Sequence, residues 1–151
     1  RLFPVAFDNA YRGSHVSLVL LGAVSLMKLG IGGGALYDTR MVLEDRDGLS
    51  LAAYGPAAAD MLLAAFAVLG LSQVLLAGLS LLALIRYRAM APLMLLVLTV
   101  EQIGRKAIFL SHPYDRPGGP RWQGVALSDW INYGMATALV IALILSLTKR
   151  R

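Results

Sequence analysis

Four long apolar runs, separated by short polar segments, dominate the pattern of this chain. They cover residues 14–36, 57–85, 90–111 and 126–148. A helix rises about 1.5 Å per residue, so about 20 apolar residues cross a hydrocarbon core of about 30 Å. Each run is long enough to do so. The pattern therefore predicts an all-α fold, an integral membrane four-helix bundle that forms one domain over residues 1–151.

The segments between the runs predict how the helices are connected. Only residues 86–88 and their immediate neighbours separate the second run from the third, so these two helices should form an antiparallel hairpin. Pro56 suits the first turn of the second helix, where its missing N–H is not needed. The glycines of residues 30–34 lower the helix propensity at the end of the first run. Residues 112–120 are rich in Pro and Gly and predict an irregular linker.

The third run is interrupted by the polar segment EQIGRK at residues 101–106. Charged side chains are costly at membrane depth, so such residues indicate either a structural pairing or a functional site. If the spans alternate in direction, these side chains lie in the same half of the bilayer as polar residues of the other spans. The predicted intramembrane polar cluster comprises Lys28, Asp60, Glu101, Gln102, Arg105 and Asn132.

This predicted cluster has three interpretations. Glu101 and Arg105 are four residues apart and share a helix face, so with Lys28 they would fix the register of the helices in lipid. The same groups would alternatively handle protons, or form a pocket for an anionic or quinone-like ligand. As a third alternative, Arg105 and Lys106 simply extend to the lipid head groups. The first interpretation is favoured.

Glycines recur at helical spacing in the first two runs. Small residues four positions apart allow membrane helices to approach closely. The contact would be either internal to the bundle or with another subunit. The predicted helix-packing residues are Gly22, Gly30, Gly34, Gly70 and Gly78.

Composition supports a membrane protein and narrows its partners. The chain is 58% hydrophobic and 15% charged, against about 25% charged residues in soluble domains. The net charge of +5 is modest, and the basic residues sit mostly at the ends of the apolar runs, where anionic head groups lie. No contiguous basic face exists outside the runs, so no nucleic-acid partner is expected.

The residues that usually carry chemistry are sparse. The absence of cysteine excludes disulfides and thiolate metal sites. His15 and His112 lie at opposite ends of the predicted bundle and cannot together hold a haem. No zinc-protease, nucleophile-elbow or phosphate-loop motif is present. We therefore predict no catalytic residue, no metal site and no cofactor, with a lipid or a lipid-soluble ligand as the alternative. An enzyme that uses Asp60 and Glu101 as acid and base is the less favoured hypothesis.

Basic residues also predict the orientation in the membrane. Positively charged loops favour the cytoplasmic side. The side that carries both termini has more basic residues than the other side, where Arg40, Arg46, Arg116 and Arg121 lie. We therefore expect both termini in the cytoplasm. The Ala, Leu, Gly and Arg bias is typical of a bacterial protein, which places the chain in the bacterial inner membrane as a multi-pass protein. The basic residues of the terminal side are Arg1, Arg12, Arg86, Arg88, Lys149, Arg150 and Arg151.

A resemblance to known proteins is carried by three features of the chain: the Ala- and Leu-rich runs, the turn at residues 86–88 and the segment at residues 101–106. The chain resembles small bacterial membrane proteins with four spans, and it is distantly similar to DoxX-like proteins. That resemblance covers the whole topology and implies a four-helix membrane fold associated with redox partners. It transfers no catalytic residue to this chain.

Two functional hypotheses follow. The first is a non-enzymatic accessory subunit of a larger membrane complex, of respiratory or photosynthetic type, whose partners are other membrane subunits and lipids. Small size, minimal loops and glycine faces favour it. The alternative is a small proton-coupled or redox-linked membrane protein. It would use the Glu, Lys and Arg cluster to handle protons or a lipid-soluble ligand.

Overall fold

The computed structural model describes residues 2–3, 8–112 and 121–148, and this part of the chain is predominantly helical. The four long helices begin and end within one residue of the four apolar runs. The regular structure of the described residues is therefore helical apart from one short hairpin. Its helices are α1 (His15–Tyr37), α2 (Thr39–Met41), α3 (Pro56–Arg86), α4 (Ala91–Ser111) and α5 (Leu127–Leu147).

Local signals explain where the helices start and why α1 continues so far. The Ser14 side chain caps α1 by accepting a hydrogen bond from the Val16 N–H. Pro56 occupies the first turn of α3, as the sequence indicates. The glycines of residues 30–34 do not end α1, which runs on to Tyr37. Tertiary packing of this segment against α3 outweighs its low intrinsic propensity.

The linker between α1 and α3 folds back onto the helices. After α2 it forms a single π-helical turn at Val42–Arg46 and a 3₁₀ turn at Leu51–Ala53. Leu43 and Leu49 are buried against the first turns of α3. The linker therefore closes one end of the helix assembly.

A short hairpin leads into α5. Its strands β1 (Arg121–Trp122) and β2 (Val125–Ala126) pair antiparallel. Gln123 and Gly124 at the turn both have positive φ angles, of 51° and 80°, which is the geometry of a type I′ turn. The predicted irregular linker covers residues 112–120, of which residues 113–120 lie outside the described residues.

The long helices pack mainly in two pairs, α1 with α3 and α4 with α5, and α1 also contacts α5. Residues before α1 contact the end of the assembly where α4 begins and α5 ends. The Ala89 N–H donates to the Asp8 carbonyl at 3.1 Å, and the Ser14 N–H donates to the Leu145 carbonyl at 3.2 Å. The half of the assembly nearest this end has a mainly apolar core, with the buried serines Ser17, Ser80 and Ser146 beside it. That core comprises Leu18, Leu21, Val24, Ala83, Ala91, Met94, Leu95, Leu98, Met135, Leu139 and Ala142.

A close helix crossing joins Gly32 of α1 to Gly70 of α3. A Cβ atom at Gly32 would lie 2.7 Å from the Gly70 carbonyl oxygen, and one at Gly70 would lie 2.9 Å from the Gly32 carbonyl oxygen. Among the predicted packing glycines, Gly70 is thus at the crossing. A Cβ atom at Gly22 would lie 3.1 Å from Leu84 Cδ2.

The other predicted packing glycines lie outside this crossing. A Cβ atom at Gly34 would lie 3.8 Å from Val42 Cγ2, whereas nothing lies within 4 Å of a Cβ atom at Gly30 or Gly78. The buried face of α1 instead passes through Lys28 and Gly32. An exposed Gly30 or Gly78 remains available to another subunit, and that contact stays a prediction.

Three helices of the described chain are long and apolar enough to cross a membrane, namely α1, α3 and α5. The fourth long helix, α4, has 21 residues but is not in this set. Its charged residues Glu101, Arg105 and Lys106 fall within about two turns and lower its apolar character. The sequence prediction of a fourth span therefore depends on how these charges are accommodated.

Candidate functional site

A buried ion pair lies next to the apolar core. Lys28 is 0% exposed, and its Nζ donates to Glu101 Oε2 at 2.5 Å. The other carboxylate oxygen, Oε1, lies 3.3 Å from Arg105 Nε. An unpaired buried charge is very costly, so Glu101 is what makes the burial of Lys28 tolerable. The group contains two cations and one carboxylate.

Two amide side chains extend this ion pair from α4 to α5. Arg105 Nη2 donates to Gln102 Oε1 at 2.7 Å and to Asn132 Oδ1 at 3.3 Å. Gln102 Nε2 also donates to Asn132 Oδ1, at 2.9 Å. These contacts form one continuous assembly that joins α1, α4 and α5. We call it the polar network: Lys28, Glu101, Gln102, Arg105 and Asn132.

A second ion pair joins α4 to α5 nearer the β1–β2 hairpin. Lys106 Nζ lies 2.6 Å from Asp129 Oδ1 and 4.7 Å from the centre of the Tyr133 ring. Lys106 and Arg105 therefore both pair inside the protein, which disfavours their simple extension to the head groups.

Asp60 is the one residue of the predicted cluster that does not join the others. It is exposed on α3 and makes no hydrogen bond or ion pair with any residue in the described part of the chain. The polar residue that α3 contributes at this level is Gln73, which is 4% exposed. The sequence did carry a signal for it, because Gln73 follows Gly70 and precedes Ala77 on one buried helical face.

A cavity of about 390 Å³ opens beside the polar network. It is bounded by α1, α3, α4 and α5, with Val42, Arg46 and Asp47 of the linker at one side. Most of the wall is apolar, and polar groups converge on one part of it. Such a combination is typical of sites for small molecules. The polar lining residues contributed by α3, α4 and α5 include Gln73, Gln102, Arg105, Ser128 and Asn132.

Three groups on this wall have unused hydrogen-bonding capacity. Gln73 Oε1 and Ser128 Oγ are buried without a partner, and the Gln73 amide makes no other hydrogen bond to the described residues. Arg105 engages neighbours through Nε and Nη2, which leaves Nη1 without a described partner. Buried polar groups are nearly always satisfied. Gln73 Oε1 and Ser128 Oγ are therefore buried groups that a further molecule could satisfy, whereas the Arg105 side chain is 17% exposed.

No family model, curated protein or solved structure matches the chain. The described residues also contain no group of three or more His, Cys, Asp or Glu side chains arranged to hold a metal ion. The functional conclusion therefore depends on the geometry of the cavity and the polar network. The resemblance to DoxX-like proteins stays a prediction.

Proposed function

We propose that the protein is a membrane-embedded binding protein for a lipid-soluble ligand, which occupies the cavity between its four long helices. The observation that carries this proposal is Gln73. The residue is 4% exposed and lines a largely apolar cavity, and its carboxamide has no described partner. A ligand with a polar head and an apolar body would satisfy the carboxamide and fill the space.

The proposal includes α4 as the fourth span of a transmembrane bundle. With 21 residues, α4 is about 31 Å long at about 1.5 Å per residue, enough to cross the hydrocarbon core. Each charged side chain in its second half pairs with another helix or with a neighbour on α4. Polar groups inside a membrane are tolerated when they face the bundle interior and are paired.

We also propose that the bundle lies in a bacterial inner membrane with both termini in the cytoplasm. Arg12, Arg86 and Arg88 lie near the end at which the segment before α1 meets the turn between α3 and α4. Residues 149–151, which lie outside the described residues, are three further basic residues that follow α5 in the sequence. Basic residues concentrate on the cytoplasmic side of membrane proteins.

Ligand binding explains the geometry better than proton handling by Glu101. Both oxygens of Glu101 are engaged by cations, Lys28 on one side and Arg105 on the other. No second carboxylate of the described residues contacts Glu101. A proton relay needs a chain of such groups, whereas the cavity already offers a bounded volume with unpaired polar groups.

Replacing Gln73 by Leu tests this proposal, because it should have two opposite effects. The ligand-free protein should become more stable by about 1–3 kcal/mol, since an unsatisfied buried group is removed. Ligand occupancy should fall about 3- to 10-fold through the lost hydrogen bond, worth about 0.5–1.5 kcal/mol. The measurements are native mass spectrometry of protein purified in lipid nanodiscs, for occupancy, and denaturant titration, for stability.

The matched control is Asp60→Asn, which changes an exposed polar side chain on the same helix, α3. It should alter neither quantity. Wild-type protein that carries no small molecule under these conditions would overturn the proposal, as would equal occupancy in wild type and Gln73→Leu.

The accessory-subunit hypothesis is the second candidate. Gly30 and Gly78 favour it, because both are exposed on long apolar helices with open space beside them. Such positions accept a neighbouring helix at close range. The same native mass spectra distinguish the two proposals: co-purifying membrane subunits support the second, and a particle of this chain with only its ligand excludes it.

A further inference from the structure

We infer that the ligand is an amphipathic oxyanion, with a carboxylate or phosphate head bound by Arg105 and an apolar body in the cavity. This inference rests on the proposed function and specifies the chemical class of its ligand. Three observations carry it: the orientation of Arg105, the charge of the polar network, and the positions of two further unpaired groups.

Arg105 is held in place on one side and unengaged on the other. Its Nε faces Glu101 at 3.3 Å, and its Nη2 donates to Gln102 at 2.7 Å and to Asn132 at 3.3 Å. Nη1 is the guanidinium nitrogen that these contacts leave over, on a side chain that lines the cavity. A planar guanidinium fixed in this way is suited to bind a carboxylate or phosphate oxygen.

Among the described residues of the cavity wall and the polar network, one positive charge is in excess. Lys28 and Arg105 share the single carboxylate of Glu101, Lys106 is matched by Asp129, and Arg46 and Asp47 contribute one charge of each sign. Uncompensated charge in a low-dielectric interior is costly. A ligand with one negative charge would neutralise the excess, whereas an uncharged head would leave it in place.

Two more groups reach the same region from other helices. Gln73 of α3 and Ser128 of α5 both line the cavity, and the buried atoms without a described partner are Gln73 Oε1 and Ser128 Oγ. The Ser128 hydroxyl and the Nε2 group of Gln73 can donate to an oxyanion, whereas Gln73 Oε1 can only accept. Donors from α3, α4 and α5 would thus converge on the head.

The remaining wall explains why the anion must carry an apolar body. Ile31, Phe66, Leu69 and Met135 line the cavity and offer no hydrogen bond to a solvated ion. A free phosphate would satisfy the polar groups but leave this surface unfilled. An acyl chain would cover this apolar surface, and the burial of both surfaces would contribute favourable binding free energy.

Binding measurements on the unmodified protein test the head group directly. The probes are laurate, its methyl ester, dodecyl phosphate and inorganic phosphate, each titrated against protein in nanodiscs of zwitterionic lipid and followed by native mass spectrometry. Laurate or dodecyl phosphate should bind at least ~30-fold more tightly than methyl laurate, because the ester lacks the charge that pairs with Arg105. The stronger of the two anions identifies the head, and inorganic phosphate should not compete.

The variant Arg105→Gln should remove this preference. It leaves Lys28 paired with Glu101, so the helices retain a neutral ion pair and we expect the variant to fold. Laurate affinity should fall at least ~30-fold, while methyl laurate should change little. The control is Arg40→Gln, which removes an exposed cation of α2 that lies outside the cavity and should leave both affinities unchanged.

The outcomes separate this inference from the proposed function. Equal binding of laurate and methyl laurate, with both weakened in Gln73→Leu, would overturn the oxyanion and retain the ligand-binding proposal. Competition by inorganic phosphate at the affinity of dodecyl phosphate would overturn the apolar body. If no probe binds and the purified protein carries no small molecule, both proposals fail.

Discussion

Replacing Glu101 by Gln should destabilise the protein by about 3–5 kcal/mol, the cost of removing one partner from a buried ion pair. Lys28 is completely buried, and Glu101 is the acceptor that its Nζ contacts among the described residues. A neutral amide would leave Lys28 and Arg105 close together without a carboxylate between them. The measurement is the free energy of unfolding in mixed micelles, from a denaturant titration followed by circular dichroism.

Removing Lys28 instead should be far less harmful, which makes Lys28→Met the control. Glu101 would keep Arg105 as its partner at 3.3 Å, and an apolar side chain of similar length would fill the buried site. Replacing a buried ion by a well-packed apolar group is often neutral or stabilising. The double variant Lys28→Met/Glu101→Gln should therefore be more stable than Glu101→Gln alone. Equal losses for Lys28→Met and Glu101→Gln would contradict the assigned roles.

These expected results assign different roles to different residues of the polar network. Glu101 and Lys28 fix α1 against α4, which is the structural interpretation favoured from the sequence. Arg105 contacts Glu101 and also lines the cavity, so it belongs to both the structural pairing and the proposed binding site. Structure and ligand binding are thus compatible uses of the same charges.

The sequence predicted the helices and most of the network because both have large energetic signatures. Apolar runs of membrane-crossing length admit few structures other than helices. Charges at that depth must be paired, so Lys28, Glu101 and Arg105 stood out from their surroundings. Gln102 and Asn132 were included in the predicted cluster because their positions along the helices match the level of these charges. Both contact Arg105 in the structure.

Asp60 and Gln73 show the limit of such reasoning. Counting residues along a helix gives a depth but not the direction in which a side chain points, and Asp60 is exposed. Gln73 is neutral and lies in a long apolar run, so its signal was weak. The cavity itself depends on how four helices and a linker are spaced, which no local pattern specifies.

The glycine spacing illustrates the same limit for packing. A four-residue repeat selected Gly22, Gly30 and Gly34 on α1, but Gly32 is the position that meets α3 most closely. The buried face of α1 also has to include Lys28, whose ammonium must reach Glu101. That requirement rotates α1 so that Gly32, four residues after Lys28, faces α3 while Gly30 faces outward.

Replacing Gly32 by Ala should therefore weaken the contact between α1 and α3. The new Cβ atom would lie 2.7 Å from the carbonyl oxygen of Gly70 and 3.0 Å from Gln73 Cβ. Because the first of these is a backbone atom, the helices must separate, and overpacking of this kind costs about 1–3 kcal/mol. The shift would also move Gln73, so ligand occupancy should fall together with stability.

The control for Gly32→Ala is Gly30→Ala, half a turn away on the same helix. Nothing lies within 4 Å of a Cβ atom at Gly30, and alanine is a better helix former than glycine by about 1 kcal/mol. This variant should be as stable as wild type or more so, with unchanged ligand occupancy. The unfolding titration and native mass spectra described above report both quantities. If Gly30→Ala were the more damaging of the two, the buried face of α1 would have to pass through Gly30, and the register that brings Lys28 to Glu101 would be wrong.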